Sequence, residues 1–157
     1  MSKFYSVAEA QLKLEYYCSY QERCHDEVVT KLKSMNMIPE AIDTIVVHLI
    51  ENNFLNEERF ACSFARGKHR IKFWGKVRIV NELKFRHISK YNIDKALKEI
   101  SPEEYEATFN KLAEHQWEIS RESNLLKKKK KVGDFLLRKG FESQLVYDKM
   151  KALENSD

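Results

Sequence analysis

Glycine and proline are scarce: four glycines and two prolines stand in 157 residues. That scarcity excludes collagen-like chains, loop-dominated chains and all-β folds with many tight turns, which draw on these residues. Long apolar runs are missing as well. None approaches the ~18 residues of a membrane span, so no membrane partner is expected. The opening segment MSKFYSVAEAQ has no apolar stretch of the kind that makes a secretory leader. The three cysteines, Cys18, Cys24 and Cys62, are odd in number and far apart, which argues against a disulfide framework and for reduced thiols in the cytoplasm.

The features of an active site are missing too. Gly67, Gly75, Gly133 and Gly140 are isolated, so no glycine loop can cradle a phosphate. Cys24 and His25 stand alone, and the five histidines are scattered, mostly suited to surface or capping positions. The pairs Glu57–Glu58 and Glu103–Glu104 fall where first helical turns are expected, which favour negative charge. No catalytic residue, metal ligand or cofactor is expected, and the chain does not read as an enzyme.

What the sequence does contain is charge, at a third of all residues, and scattered apolar positions. That combination makes amphipathic helices. The apolar positions also repeat. Val28, Leu32, Met37, Ile42, Val46 and Leu49 lie at offsets 0, 4, 9, 14, 18 and 21. Ile79, Leu83, Ile88, Ile93, Leu97 and Ile100 have the same offsets, and so do Val132, Leu136, Phe141, Val146, Met150 and Leu153. Steps of four and three keep to one helix face. The steps of five mark a turn between two helices, with the residue at offset 9 filling the corner.

The residue before that corner is Asn36, His87 or Gly140. All three tolerate the left-handed conformation that ends many helices.

A further amphipathic segment precedes each pair. Ser6 with Glu9 forms a capping box before Ala10, Leu14 and Tyr17. Asn56 is an N-cap ahead of Phe60 and Phe64. Ser101 and Pro102 start a third segment, with Glu104 completing a second capping box and Tyr105, Phe109 and Leu112 on one face. Cys24 falls at the N-cap before Val28. The expected architecture is all-α: three tandem three-helix repeats, residues 1–55, 56–100 and 101–157, in an elongated, curved chain.

The net charge of +4 conceals strong local imbalance. Residues 1–55 hold five basic and eight acidic side chains, and residues 66–90 hold nine basic and one acidic. Residues 101–126 are acidic again, and 127–157 are basic. A field as dense as that of residues 66–90 attracts polyanions or an acidic protein groove. Arg66, Lys68, Arg70, Lys72, Lys76 and Arg78, supported by Lys84 and Arg86, are the candidate contact face. Lys127, Lys128, Lys129, Lys130 and Lys131 are additional candidates, with a plain solvated face as the alternative. Phe73 and Trp74 either staple the next helix or offer rings to unpaired bases.

The run Phe54-Leu55-Asn56-Glu57-Glu58-Arg59-Phe60-Ala61, then Phe64, a basic stretch and Ile79-Val80-Asn81-Glu82-Leu83, resembles the RecX family of regulators of the RecA recombinase. Lys31-Leu32 through Ala41-Ile42, and Phe135-Leu136-Leu137-Arg138-Lys139-Gly140-Phe141, match corresponding parts of that family's repeats. The resemblance covers roughly residues 8–153, and its most specific element is the segment at 58–61. Asn56 departs from a usual aspartate, Asn36 and His87 from a common glycine, and Cys24 from a common serine cap.

The resemblance implies tandem three-helix repeats and a non-catalytic regulator that binds the RecA–DNA filament in its groove. It further implies inhibition of ATPase and strand exchange, with effects on homologous recombination, DNA repair and the SOS response. The expected partners are the RecA filament and single- or double-stranded DNA, directly or through the filament, with the chain acting as a monomer. The alternative is sequence-independent DNA binding by the same basic face.

Overall fold

The computed structural model describes residues 4–156. Residues 1–3, part of the segment read as lacking a leader, and Asp157, the end of the expected third repeat, lie outside the described residues. Among the described residues every regular element is an α-helix. These are α1 Val7–Tyr20, α2 His25–Ser34, α3 Pro39–Glu51, α4 Glu57–Lys72, α5 Lys76–Phe85, α6 Lys90–Leu97, α7 Pro102–Ile119, α8 Leu125–Lys139 and α9 Ser143–Ser156. None is long and apolar enough to cross a membrane.

The helix starts follow local chemistry. Ser6 and Glu9 close a reciprocal capping box at α1, with N···O distances of 3.1 and 3.0 Å. Asn56 Oδ1 accepts from Arg59 N at 2.9 Å and starts α4. Cys24 is the N-cap of α2, and its N–H donates to Glu27 Oε1 at 3.2 Å. Ser101 Oγ accepts from Glu104 N at 3.1 Å ahead of Pro102. The second half of the expected box at Ser101 does not form. The Glu104 carboxylate turns to Arg70 of α4, at 2.7 and 3.3 Å, because a guanidinium fork outbids one backbone N–H.

The helix-to-helix corners are the same three times over. Asn36, His87 and Gly140 have φ of 61°, 60° and 98°. Their N–H groups donate to Lys33 O, Lys84 O and Leu137 O, each at 3.0 Å. The next residues, Met37, Ile88 and Phe141, donate to Leu32 O, Leu83 O and Leu136 O at 3.2, 3.1 and 3.2 Å. This bond pair is the Schellman motif, and the corner side chain covers it. Two further left-handed residues, Asn53 (φ 62°) and Phe73 (φ 59°), end α3 and α4 without a glycine to announce them.

Fifteen of the eighteen repeat positions are buried; Met37, Leu97 and Leu153 are half-buried against the cores. The helices pack chiefly within the triads α1–α3, α4–α6 and α7–α9. The cores divide differently. One cluster joins α1–α3 through Ala10, Leu14, Val28, Leu32, Ile45, Leu49 and Leu55. The other runs unbroken from Phe60 to Met150 and takes in Cys24 from the start of α2. The accessible surface, 10063 Å² for 18.7 kDa, exceeds the roughly 8,300 Å² of a compact monomer of that mass, as an elongated chain requires.

Candidate partner-binding face

The basic segment straddles the end of α4 and the start of α5. Phe73 ends α4 in the left-handed conformation and remains exposed, whereas Trp74 folds back on α4. The Trp74 ring meets Phe64 edge-on, with centroids 6.1 Å apart, and Phe64 lies 5.7 Å from Phe60. Trp74 is therefore no bare platform: it is half-buried against the larger core. Lys68 Nζ sits 5.0 Å and the Arg78 guanidinium 4.1 Å from its ring centroid. Arg86 lies 4.9 Å over Phe64. Lys68, Arg78 and Arg86 thus gather round two rings whose faces attract cations.

Arg66 and Arg70 lie elsewhere. Residues two apart on a helix are ~200° apart round its axis, so neither arginine shares a side with Lys68. Arg66 pairs with Glu99 and Arg70 with Glu104. The hydrogen bond from Arg70 holds the Glu104 carboxyl below the usual glutamate range. Arg86 bonds Glu82 Oε2 at 2.8 Å, an i,i+4 pair readable in the sequence. The pairings with Glu99 and Glu104 were not readable, since they join residues 33 and 34 apart.

Among the described residues Lys68, Lys72, Lys76, Arg78 and Lys84 meet no carboxylate. Lys72 and Lys84 are exposed, and Lys76 Nζ lies 4.6 Å over the Tyr105 ring. In the later run, Lys129 pairs with Glu154 at 2.7 Å and Lys130 with Asp134 at 3.3 Å. Lys128 covers Trp117 at 4.3 Å. Lys127 and Lys131 are exposed and meet no carboxylate among the described residues. No group of His, Cys, Asp or Glu among those residues could hold a metal ion.

Beneath the face, the α4–α5 turn is bolted to the α8–α9 turn. Gly75 N donates to Lys139 O at 2.7 Å, and Val77 N donates to Gly140 O at 2.9 Å. Arg78 donates to Arg138 O at 3.2 Å, and Lys139 Nζ to Lys72 O at 3.0 Å. The Tyr105 hydroxyl accepts from Lys76 N at 3.0 Å and donates to Glu142. Burial, then the bond to Glu142, push that phenol well above its usual range. His69 departs from the surface role expected of most histidines. It is wholly buried, stacks on Tyr105 at 5.4 Å, and engages Trp74 O at 2.9 Å through Nδ1, leaving Nε2 without a partner.

The segment at 58–61 has a structural explanation. Arg59 bonds Glu22 at 2.7 Å, Asn53 Oδ1 and O at 3.1 Å each, and Phe54 O at 3.3 Å. It closes the end of α3 and ties that triad to α4, while Phe60 and Ala61 enter the larger core. Burial pushes the Cys18 and Cys24 thiols up to about 11, consistent with inert structural thiols.

Comparison with known proteins finds the same architecture. Residues 56–97 match the family model "RecX, second three-helix domain", and residues 103–150 match "RecX, third three-helix domain". A regulatory protein RecX of Limosilactobacillus reuteri is 29% identical over 144 residues, covering 92% of this chain and 54% of the relative. One from Finegoldia magna is 30% identical over 145 residues, covering 90% of this chain and 68% of the relative. The chain spans about half the length of most of the first curated relatives it matches.

A crystal structure of regulatory protein RecX superposes with a TM-score of 0.78 at 28% identity, covering 93% of this chain and 73% of the other. That of RecX from Lactobacillus salivarius gives 0.80 at 24% identity, covering 94% and 96%, a likeness of fold. With two tandem three-helix domain models matched in order and 30% identity along most of a relative's length, the chain belongs to the RecX family of regulatory proteins.

Proposed function

We propose that this chain regulates the RecA recombinase in the cytoplasm, as a monomer, by lying in the groove of the RecA–DNA filament and inhibiting its ATPase and strand exchange. In this reading it restrains homologous recombination, DNA repair and the SOS response, and its units are residues 1–55, 56–100 and 101–157. Family membership supports the class of function. The observation that carries the contact face is the group of four cations around the α4–α5 turn, Lys68, Lys72, Lys76 and Arg78, joined by Lys84 at the far end of α5, none of which meets a carboxylate among the described residues. Lys68, Lys72, Arg78 and Lys84 are its leading contacts. Arg66, Arg70 and Arg86 serve the fold first, because each already has a carboxylate.

The alternative, direct binding of DNA by the same face, has less support. The Phe64 and Trp74 rings are already covered by cations, so the face offers charge rather than rings for stacking.

The test is RecA ATPase on single-stranded DNA, with and without the chain. The parent should inhibit. Changing Lys68, Lys72, Arg78 and Lys84 to Ala should weaken inhibition by about tenfold or more. Changing Arg66 and Arg70 to Ala should weaken it less. Lack of inhibition by the parent would refute the regulatory role, and full inhibition by the fourfold variant would refute the face. Equal binding to naked duplex DNA with no recombinase present would favour the alternative.

A further inference from the structure

The acidic first triad contains a groove of opposite character. It runs between α1 and α2, has a volume of about 550 Å³, and is lined by four tyrosines together with Lys13, Arg23 and Lys31. None of the eight carboxylates in residues 1–55 lines it. Positive charge in a net-negative unit is therefore concentrated on one aromatic trough.

The tyrosines fall into two sorts. Tyr5 and Tyr17 are half-buried, and the Tyr17 ring is occupied by Arg23, whose guanidinium lies 3.7 Å from the centroid. Arg23 is itself fixed by Tyr17 O at 3.0 Å and faces Glu27 at 3.8 Å, so it stiffens the floor. Tyr16 and Tyr20, by contrast, are 73% and 72% exposed. They stand one helical turn apart, and their rings carry no cation or second ring among the described residues. Lys13 and Lys31 line the same groove, with Lys13 Nζ 5.5 Å over the Tyr5 ring and Lys31 Nζ 5.8 Å over the Tyr17 ring, and neither pairs with a carboxylate among those residues.

Free ring faces at helical spacing, in one groove with two lysines that pair with no carboxylate among the described residues, match what unpaired nucleic acid requires: platforms for successive bases and cations for the backbone. The face at the α4–α5 turn differs, because its rings are already covered. We infer that the α1–α2 groove is a binding site for single-stranded nucleic acid, with bases stacked on Tyr16 and Tyr20 and phosphates held by Lys13 and Lys31. The site acts without the recombinase and does not depend on the α4–α5 face.

The experiment is fluorescence anisotropy of a labelled oligothymidylate of about 16 nucleotides, the upper end of what one stacking groove covers, titrated with the full chain and no RecA. The parent should bind, more tightly than it binds a duplex of equal length. Changing Tyr16 and Tyr20 together to Ala should weaken binding by at least about tenfold, with far-UV circular dichroism unchanged because both side chains are exposed. Leu at both positions should fail like Ala, and Phe should bind like the parent. Two lysine–phosphate contacts give a log–log salt slope near −1.4, and Lys31→Ala should lower it by about 0.7. Lys68→Ala with Arg78→Ala should leave the tyrosine effect intact.

Three results overturn the inference: no binding by the parent, unchanged binding by the Ala pair, or Leu variants that bind as well as Tyr. The last would mark an apolar docking surface for protein. RecA inhibition is scored separately, so loss of oligonucleotide binding with inhibition retained leaves the proposed regulatory role untouched.

Discussion

Single residues set the joint between the second and third triads. A Cβ on Gly75 would stand 2.3 Å from Gly140 O, and one on Gly140 would stand 2.2 Å from Arg78 Cβ. Gly140 also has φ +98°, where side chains are strained. Gly140→Ala should therefore cost about 2–4 kcal/mol from backbone strain plus overlap. Gly67 lies within α4 with nothing within 4 Å of its would-be Cβ. Gly67→Ala should add about 0.5–1 kcal/mol through helix propensity. Urea denaturation of both variants checks the opposite signs, read as shifts of midpoint at constant slope. The four glycines look alike in sequence. The local left-handed need of Gly140 was legible from its place before the corner residue, but the close approach at Gly75 was not, since it depends on a turn more than 60 residues away.

At the scale of elements, what matters is how helix ends are closed. The three Schellman corners were visible as one apolar spacing with a permissive residue before the corner, because the motif is local in the chain. The end of α3 is closed by Arg59, whose fork reaches two carbonyls and one side-chain amide besides Glu22. Arg59→Ala should cost about 1.5–3 kcal/mol for the loss of charge-assisted bonds. Arg59→Lys should recover little of it, because an ammonium cannot reproduce the planar fork. Chemical denaturation, with amide exchange at Asn53 and Phe54, measures both. The basic segment shows the opposite limit. Its charge density was plain, and helix geometry alone puts Arg66 and Arg70 on another side from Lys68, yet which side is neutralised was hidden, because Glu99 and Glu104 reach it only through tertiary packing.

The whole molecule has three helical triads but two cores. The first triad meets the rest mainly through polar links, Arg59 to Glu22 and His87 to Asp26 at 2.6 Å, with Cys24 as its apolar contribution to the larger core. The second and third triads share one hydrophobic cluster and the glycine joint. Stability should be partitioned accordingly. Leu14→Ala, at a wholly buried site, removes about 2–5 kcal/mol and should speed amide exchange across α1–α3 while leaving α5–α9 protected. Phe141→Ala should speed exchange from α4 through α9 together. Residue-resolved hydrogen exchange measures both, and uniform loss of protection after Leu14→Ala would contradict a separable first core.

The sequence by itself determined the helices, their caps, their corners and the threefold recurrence of apolar positions, because these depend on residues within about one turn of each other. It also determined the family, through motifs that survive as residue order. Only the tertiary structure decided which cations are neutralised, which rings are covered, why His69 is buried, and where two triads fuse while a third stands apart. The cations over Trp74 stand within six residues of it, but the pairs of Arg66 and Arg70, the stacking of His69 on Tyr105 and the joint at Gly75 join residues 33 to 64 positions apart. Their meeting is decided by how helices stack, and no local pattern of side chains encodes it.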